Sequence, residues 1–231
     1  DFLYIRGLKV DLKSPKIMGI LNLTKDSFYD GGKHNTLKKC LLQCEKMINE
    51  GAHFIDIGVH SSKPGSKIIN SNDEIELLIP YLEKILKEFN NFYFSIDTYN
   101  SEVAKISIEM GVSIINDISA GSFDDKMFSL LGKYQLPYVV MHMKGIPTSM
   151  QKQPEYRNVT REIIDFFDKK INQAKNKGIK NIIIDPGFGF GKSESHNYEL
   201  LKNLSDFKIF DYPILVGLSR KSMIYKKLNI L

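Results

Sequence analysis

Asn22, Asp56, Asp97, Asn116, His142, Asp185 and the run Ser219-Arg220-Lys221 stand at the ends of short apolar segments along this chain. Carboxylates and amides of this kind suit a planar heterocycle rich in N–H and C=O groups. A carboxylate accepts two parallel N–H bonds, as it does from arginine, and an asparagine offers both a donor and an acceptor. Lys221 stands just inside a helical pattern, and a cation beside a helix N-terminus suits a phosphate. Asp185-Pro186-Gly187-Phe188-Gly189-Phe190-Gly191-Lys192 reads as a shaped, glycine-rich turn. It is not a nucleotide-binding P-loop: that motif follows the first strand of its fold, and here the glycines and the Lys-Ser are wrongly spaced. Any single Asp or Asn could serve only as a helix cap. A whole series of polar strand ends is better explained as the lining of a small-molecule pocket.

The elements that would position these residues are strands alternating with helices. A strand or hairpin over Leu3 to Leu12 comes first. Strands follow at Lys16–Leu21, Ala52–Ile57, Phe92–Ile96, Val112–Ile115, Leu136–Met141, Asn181–Ile184 and Pro213–Gly217. Helical patterns lie between them at Thr36–Glu50, Asp73–Lys87, Ser101–Met110, Asp124–Tyr134, Thr160–Lys177 and Asn197–Leu204, and another opens at Ser219. Asn72 and Asp73 are candidate caps of the second helix, with Glu76 completing a capping box. The strands are short, β-branched and almost continuously apolar, as parallel strands buried on both faces are. Regular βα units without linkers or repeats predict a single (β/α)₈ TIM barrel, whose strands all direct their C-terminal ends into one mouth. A Rossmann sheet would need a glycine fingerprint after its first strand, and Asn22-Leu23-Thr24-Lys25-Asp26 stands there instead. The pattern gives one βα unit too few for closure. The expectation is one domain spanning 1–231, C-terminally incomplete, with the eighth strand and helix missing from the sequence.

Composition narrows the classes further. The 231 residues are 42% hydrophobic and 26% charged, ordinary for a globular protein, and the formal net charge is +5. That mild basicity favours small anionic substrates over nucleic acid, since no Lys/Arg block is interleaved with aromatics. No apolar run approaches a membrane span and the N-terminus does not resemble a signal peptide, which predicts a cytoplasmic protein. Cys40 and Cys44 share an apolar helical stripe with Leu37, Leu41, Met47 and Ile48, so they are expected in the core as free thiols.

Long motifs in order give the chain a family resemblance. Met18–Gly32, Gly51–Gly58 with Ser61–Gly65, Ser95–Tyr99, Ile114–Asp117, Met141–Met143, Gln151, Asp185–Lys192 and Gly217–Ser222 together resemble the dihydropteroate synthase family of pterin-binding enzymes. The resemblance implies a pterin-binding barrel that condenses 6-hydroxymethyl-7,8-dihydropterin diphosphate with 4-aminobenzoate in folate biosynthesis. It implies that Asp97, Asn116, Asp185 and Lys221 hold the pterin, with Met141 and Phe190 against the ring, and that Asp97 and Lys221 act in catalysis. Asn22 would sit by the diphosphate and its Mg²⁺. Ser62 and Lys63 would bind substrate on a mobile loop, joined by Asp26, Ser27 and Phe28 from another. Ser219 and Pro64 would border the aminobenzoate. The family also implies a homodimer through late helices and a sulfonamide target. Three departures stand out: His60 replaces an acid, Lys63 replaces an arginine, and Lys25 replaces a proline. A methyl-transfer domain on the same barrel and a non-catalytic pterin-binding paralogue are the rival readings. The aminobenzoate loops and the lack of a corrinoid domain argue against the first.

Overall fold

Six strands hydrogen-bond in strict chain order into one parallel sheet. The computed structural model describes residues 2–23, 32–59, 69–151 and 154–229, with the backbone alone at 32–35. An antiparallel hairpin, β1 (Phe2–Ile5) and β2 (Leu8–Asp11), precedes the sheet. The sheet then runs β3 (Met18–Asn22), β4 (Phe54–Gly58), β5 (Tyr93–Asp97), β6 (Ile114–Asp117), β7 (Tyr138–Met141) and β8 (Ile182–Asp185). Helices alternate with these strands: α1 (Gly32–Asn49), α2 (Ser71–Glu88), α3 (Ser101–Glu109), α4 (Met127–Tyr134), α5 (Val159–Asn176), α6 (Glu194–Lys202) and α7 (Ser222–Leu228). A 3₁₀ segment, Leu204–Phe210, follows α6. This is the serial βα order of a (β/α)₈ barrel.

Burial explains the composition of the strands. Every residue of β4, β7 and β8 is buried, so apart from Asp56 and Asp185 each strand is apolar or glycine on both faces. The main core lies between the sheet and its helices, and it includes Ile55, Ile57, Phe94, Ile96, Leu78, Leu82, Phe167 and Phe207. Cys40 and Cys44 are buried free thiols within it, as their stripe predicted. A second core lies under the strands' N-terminal ends. There Leu3 and Ile5 of β1 pack with Phe54, Ile114, Val139 and Ile183, so the hairpin closes the end opposite the mouth.

Four sequence expectations need correction. Pro213–Gly217 is not a ladder strand: it contributes one parallel bridge, Ile214 to Ile184. The helix after it opens at Ser222, not Ser219, with Arg220 in the left-handed region at φ 54°. The cap of α2 is Asn70, whose side chain accepts from the Asp73 amide at 3.0 Å, so Asn72 and Asp73 are already helical. The pattern at Asn197–Leu204 is split, with α6 starting earlier behind a Ser193–His196 capping box and the 3₁₀ segment beginning at Leu204.

Candidate active site

Parallel register decides which polar residues meet. Asn22 is paired with Gly58, Asp97 with Asn116, and Met141 with Asp185. Gly58 leaves room for its neighbour: a β-carbon built there would stand 3.3 Å from that of Asp97. Asn22, Asp97, Met141 and Asp185 are each the last residue of a strand. Asn116 is one residue short of the end of β6, and Asp56 lies in the middle of β4 rather than at its end. Asp56 is nevertheless connected: Asn116 Nδ2 donates to its Oδ2 at 2.8 Å.

Carboxylates are concentrated at the β4–β6 side. Asp97 is 9% exposed, and burial pushes its carboxyl well above the usual range, reinforced by Asp56, Glu74 and Asp117. Asp97 Oδ1 and Asn116 Oδ1 are buried acceptors with no hydrogen-bond partner among the described residues. Buried acceptors of this kind are costly, so they call for a donor from a ligand. Asp117 is held differently. Its carboxylate accepts from the Ser119 and Gly121 amides and from the Tyr138 hydroxyl, at 2.7, 2.8 and 2.7 Å, which makes it a structural acid.

The β7–β8 side carries the cations. Asp185 is buried and pushed up to about 6, opposed by the Gly187 N–H it accepts at 2.7 Å and by Lys192 and Lys221. The Lys221 ammonium lies 4.6 Å above the Phe190 ring, and burial lowers its pKa while Asp185 opposes the shift. Ser219 is exposed just before it. An apolar wall joins the two sides: Tyr99, Ile118 and Met141 are buried together, with Phe123, Met143 and Phe190 packed on them. His142, just past β7, is neutral, because burial and the neighbouring Lys192 hold its pKa well below 6.5. His142 stacks edge-on to Phe166 and does not enter the polar row.

The structure therefore brings Asp97, Asn116, Met141, Asp185, Phe190 and Lys221 onto one arc, with Asn22 exposed at its β3 end. Asp26, Ser27, Phe28, Ser62, Lys63 and Pro64 lie outside the described residues, as do Lys25 and His60. The sequence places Asp56 among the polar strand ends without a role of its own, and Lys192 at the tail of a glycine-rich turn. Asp56 carried a signal, as an acid inside an apolar strand. Lys192 carried none, since only tertiary burial distinguishes it from the other lysines.

A barrel with unsatisfied acceptors, an apolar wall and a cation at one end is an enzyme-like receptor for a flat, donor-rich, anionic molecule. The chain's relatives agree. The model of the pterin binding enzyme family matches residues 18–230. The chain is 42% identical over 230 residues to the dihydropteroate synthase of Escherichia coli K12, covering 99% of this chain and 81% of that one. It superposes with TM-score 0.91 and 40% identity on the Yersinia pestis dihydropteroate synthase solved with a sulfonamide drug complex, covering all of this chain and 84% of that one. The Xanthomonas albilineans enzyme in complex with 7,8-dihydropteroate gives TM-score 0.86 at 32% identity, covering 99% and 82%. The chain belongs to the pterin-binding enzyme family.

Proposed function

We propose that the chain is a transferase of the dihydropteroate synthase type. It joins 4-aminobenzoate to 6-hydroxymethyl-7,8-dihydropterin diphosphate, giving 7,8-dihydropteroate and diphosphate for folate synthesis. The observation that carries this reading is the pair of buried, unsatisfied acceptors, Asp97 Oδ1 and Asn116 Oδ1, on one arc with Asp185. A pterin edge presents the N–H donors these groups lack.

The proposed roles are those the family resemblance implies, and the arc of strand ends supports them. Asp185, Asn116 and Asp97 bind the pterin's polar edge, and Met141 and Phe190 flank its ring. An aromatic amine is a weak nucleophile, so loss of diphosphate first, then capture of the pterin cation by the amine, is the easier path. Positive charge on the ring favours the ionised form of Asp97, whose proton is otherwise held by burial and three neighbouring acids. Lys221, at the far end of the arc, faces the polar part of the substrate as a cation. Ser62 and Lys63, with Pro64, Ser219 and the segment Asp26, Ser27 and Phe28, complete the diphosphate and aminobenzoate sides in this reading. Placement and electrostatics supply the catalysis, and no covalent nucleophile is required.

Mg²⁺ fits the donor set. Among the described residues no three His, Cys, Asp or Glu gather as a metal cage, whereas Asn22 offers one exposed amide oxygen at a strand end. Mg²⁺ commonly takes one or two protein ligands and fills the rest from substrate phosphates and water. Asn22 would hold it, and the ion would neutralise charge on the departing diphosphate.

The wider reading is a cytoplasmic homodimer and a sulfonamide target, as the sulfonamide complex of the Yersinia pestis relative supports. No helix among the described residues is long and apolar enough to cross a membrane. The homodimer is what the family resemblance implies. One assay tests the central reading: the chain is mixed with pterin diphosphate, with and without 4-aminobenzoate. Formation of 7,8-dihydropteroate with one diphosphate per turnover when the amine is present supports it, and diphosphate release without any dihydropteroate, or no release at all, refutes it.

A further inference from the structure

Lys192 is only 3% exposed, yet no carboxylate lies within ion-pair distance of it among the described residues. Its Nζ instead meets a ring of neutral acceptors: His142 Nδ1 at 2.9 Å, Gly187 O at 2.8 Å, Phe190 O at 3.0 Å and His142 O at 3.3 Å. Four acceptors around one nitrogen call for the three hydrogens of an ammonium. His142 then carries its proton on Nε2. A buried cation without an ion pair is costly, so a fold that keeps one needs it locally. The turn it fills is built backbone against backbone. Gly187 has φ +69°, and a β-carbon there would overlap the His142 carbonyl. Tyr156 donates to Gly191 O at 2.9 Å, and Gln151 donates to Gly189 O, so the turn is fastened to the segment after β7 at several points.

We propose that Lys192 is a positioning residue for the pterin end of the site: its ammonium gathers the carbonyls of His142, Gly187 and Phe190, and so fixes Asp185, the Phe190 ring and Lys221 at their working separations. The inference rests on the pterin reading. Gly187 both accepts from Lys192 and donates to Asp185 Oδ1, so the ammonium is one residue removed from the carboxylate that binds substrate. Phe190 accepts from Lys192 and lies under Lys221. Lys192 also acts through its charge: burial lowers its pKa to about 7, so the charge is present over the range in which Asp185 titrates. The groups facing Asp185 are the Gly187 N–H, Lys192 and Lys221, and those facing Lys192 are Asp185, Lys221 and the neutral His142, with Lys144 beyond it. Removing the buried charge leaves Asp185 with one cation instead of two, so its carboxyl holds its proton to higher pH.

The test compares wild type, Lys192→Met and Lys192→Gln by calorimetry with pterin diphosphate across pH 5 to 8, alongside thermal unfolding and steady-state kinetics. Wild-type binding is measured first, and its failure would overturn the pterin reading rather than this inference. The expected result is a loss of about ten-fold or more in pterin affinity in both folded variants at neutral pH, with the acidic limb of binding displaced to higher pH. KM for aminobenzoate at saturating pterin stays within about two-fold. A merely structural lysine would lower the melting temperature and leave the affinity and pH limb of the folded fraction in place, and that outcome overturns the proposal. A lysine-selective NMR spectrum of the unmutated protein decides the matter if neither variant folds. Pterin must then shift the Lys192 ε-carbon signal, and an unmoved signal also overturns the proposal.

Discussion

Asp185 is held at about 6 by burial, against an ordinary 3.8, while an N–H bond and two lysines oppose the shift. Pterin donors need the carboxylate, so affinity should weaken as pH falls through about 6, by roughly ten-fold per unit below it. Stability has the opposite sign. A carboxyl whose folded pKa is raised stabilises the fold below its unfolded value, and that contribution is lost as pH rises through the folded one. Wild type should therefore lose stability relative to Asp185→Asn between pH 4 and above 6, while wild-type pterin affinity climbs. Urea titrations and calorimetry at matched pH read the two trends. Asp185→Ala should abolish pterin binding with the fold intact, because donors left unpaired in a closed pocket cost about 1–3 kcal/mol each. Unchanged pterin affinity in a folded Asp185→Ala protein would remove Asp185 from the site.

At the scale of elements, the turn after β8 tolerates little. Gly187→Ala would place a side chain at positive φ and against the His142 carbonyl backbone, so we expect a loss of ~2 kcal/mol or more in stability, read by denaturant unfolding. Asn70→Ala should cost about 1 kcal/mol, from the lost cap of α2. These elements differ in how well the sequence announced them. β4, β5, β7 and β8 were legible to within two residues, because apolar β-branched runs flanked by helical periodicity leave few alternatives. Pro213–Gly217 has the same look and makes one bridge, because ladder pairing depends on partners that local pattern does not reveal. The cap of α2 was displaced by competing polar residues, Asn70, Asn72 and Asp73, all within one turn. Asp97, Asn116 and Asp185 were legible as strand ends. The buried ring of carbonyls around Lys192 was not, since backbone carbonyls leave no trace in residue identity.

Across the whole molecule the two ends of the sheet divide the labour. Polar groups crowd one end, and the hairpin seals the other with Leu3 and Ile5, which are 3% and 0% exposed. Ile5→Ala should destabilise the protein by ~2–5 kcal/mol through the cavity it leaves, while kcat and KM of the folded enzyme stay unchanged. Loss of catalysis without loss of stability would show that the sealed end communicates with the mouth. Helix α1 offers a further reading of the folded state. Cys40 and Cys44 are both fully buried, and the Cys44 thiol is kept protonated by its hydrogen bond with the Cys40 thiol and by burial. Thiolate is the reactive form, so an alkylating reagent finds nothing to modify in the closed molecule. The two sulfurs thus form an intrinsic clock: labelling proceeds only as fast as α1 lifts from the sheet. Both should be modified together, one turn apart on the same helix. A pterin ligand should slow the clock only to the extent that α1 cannot open by itself.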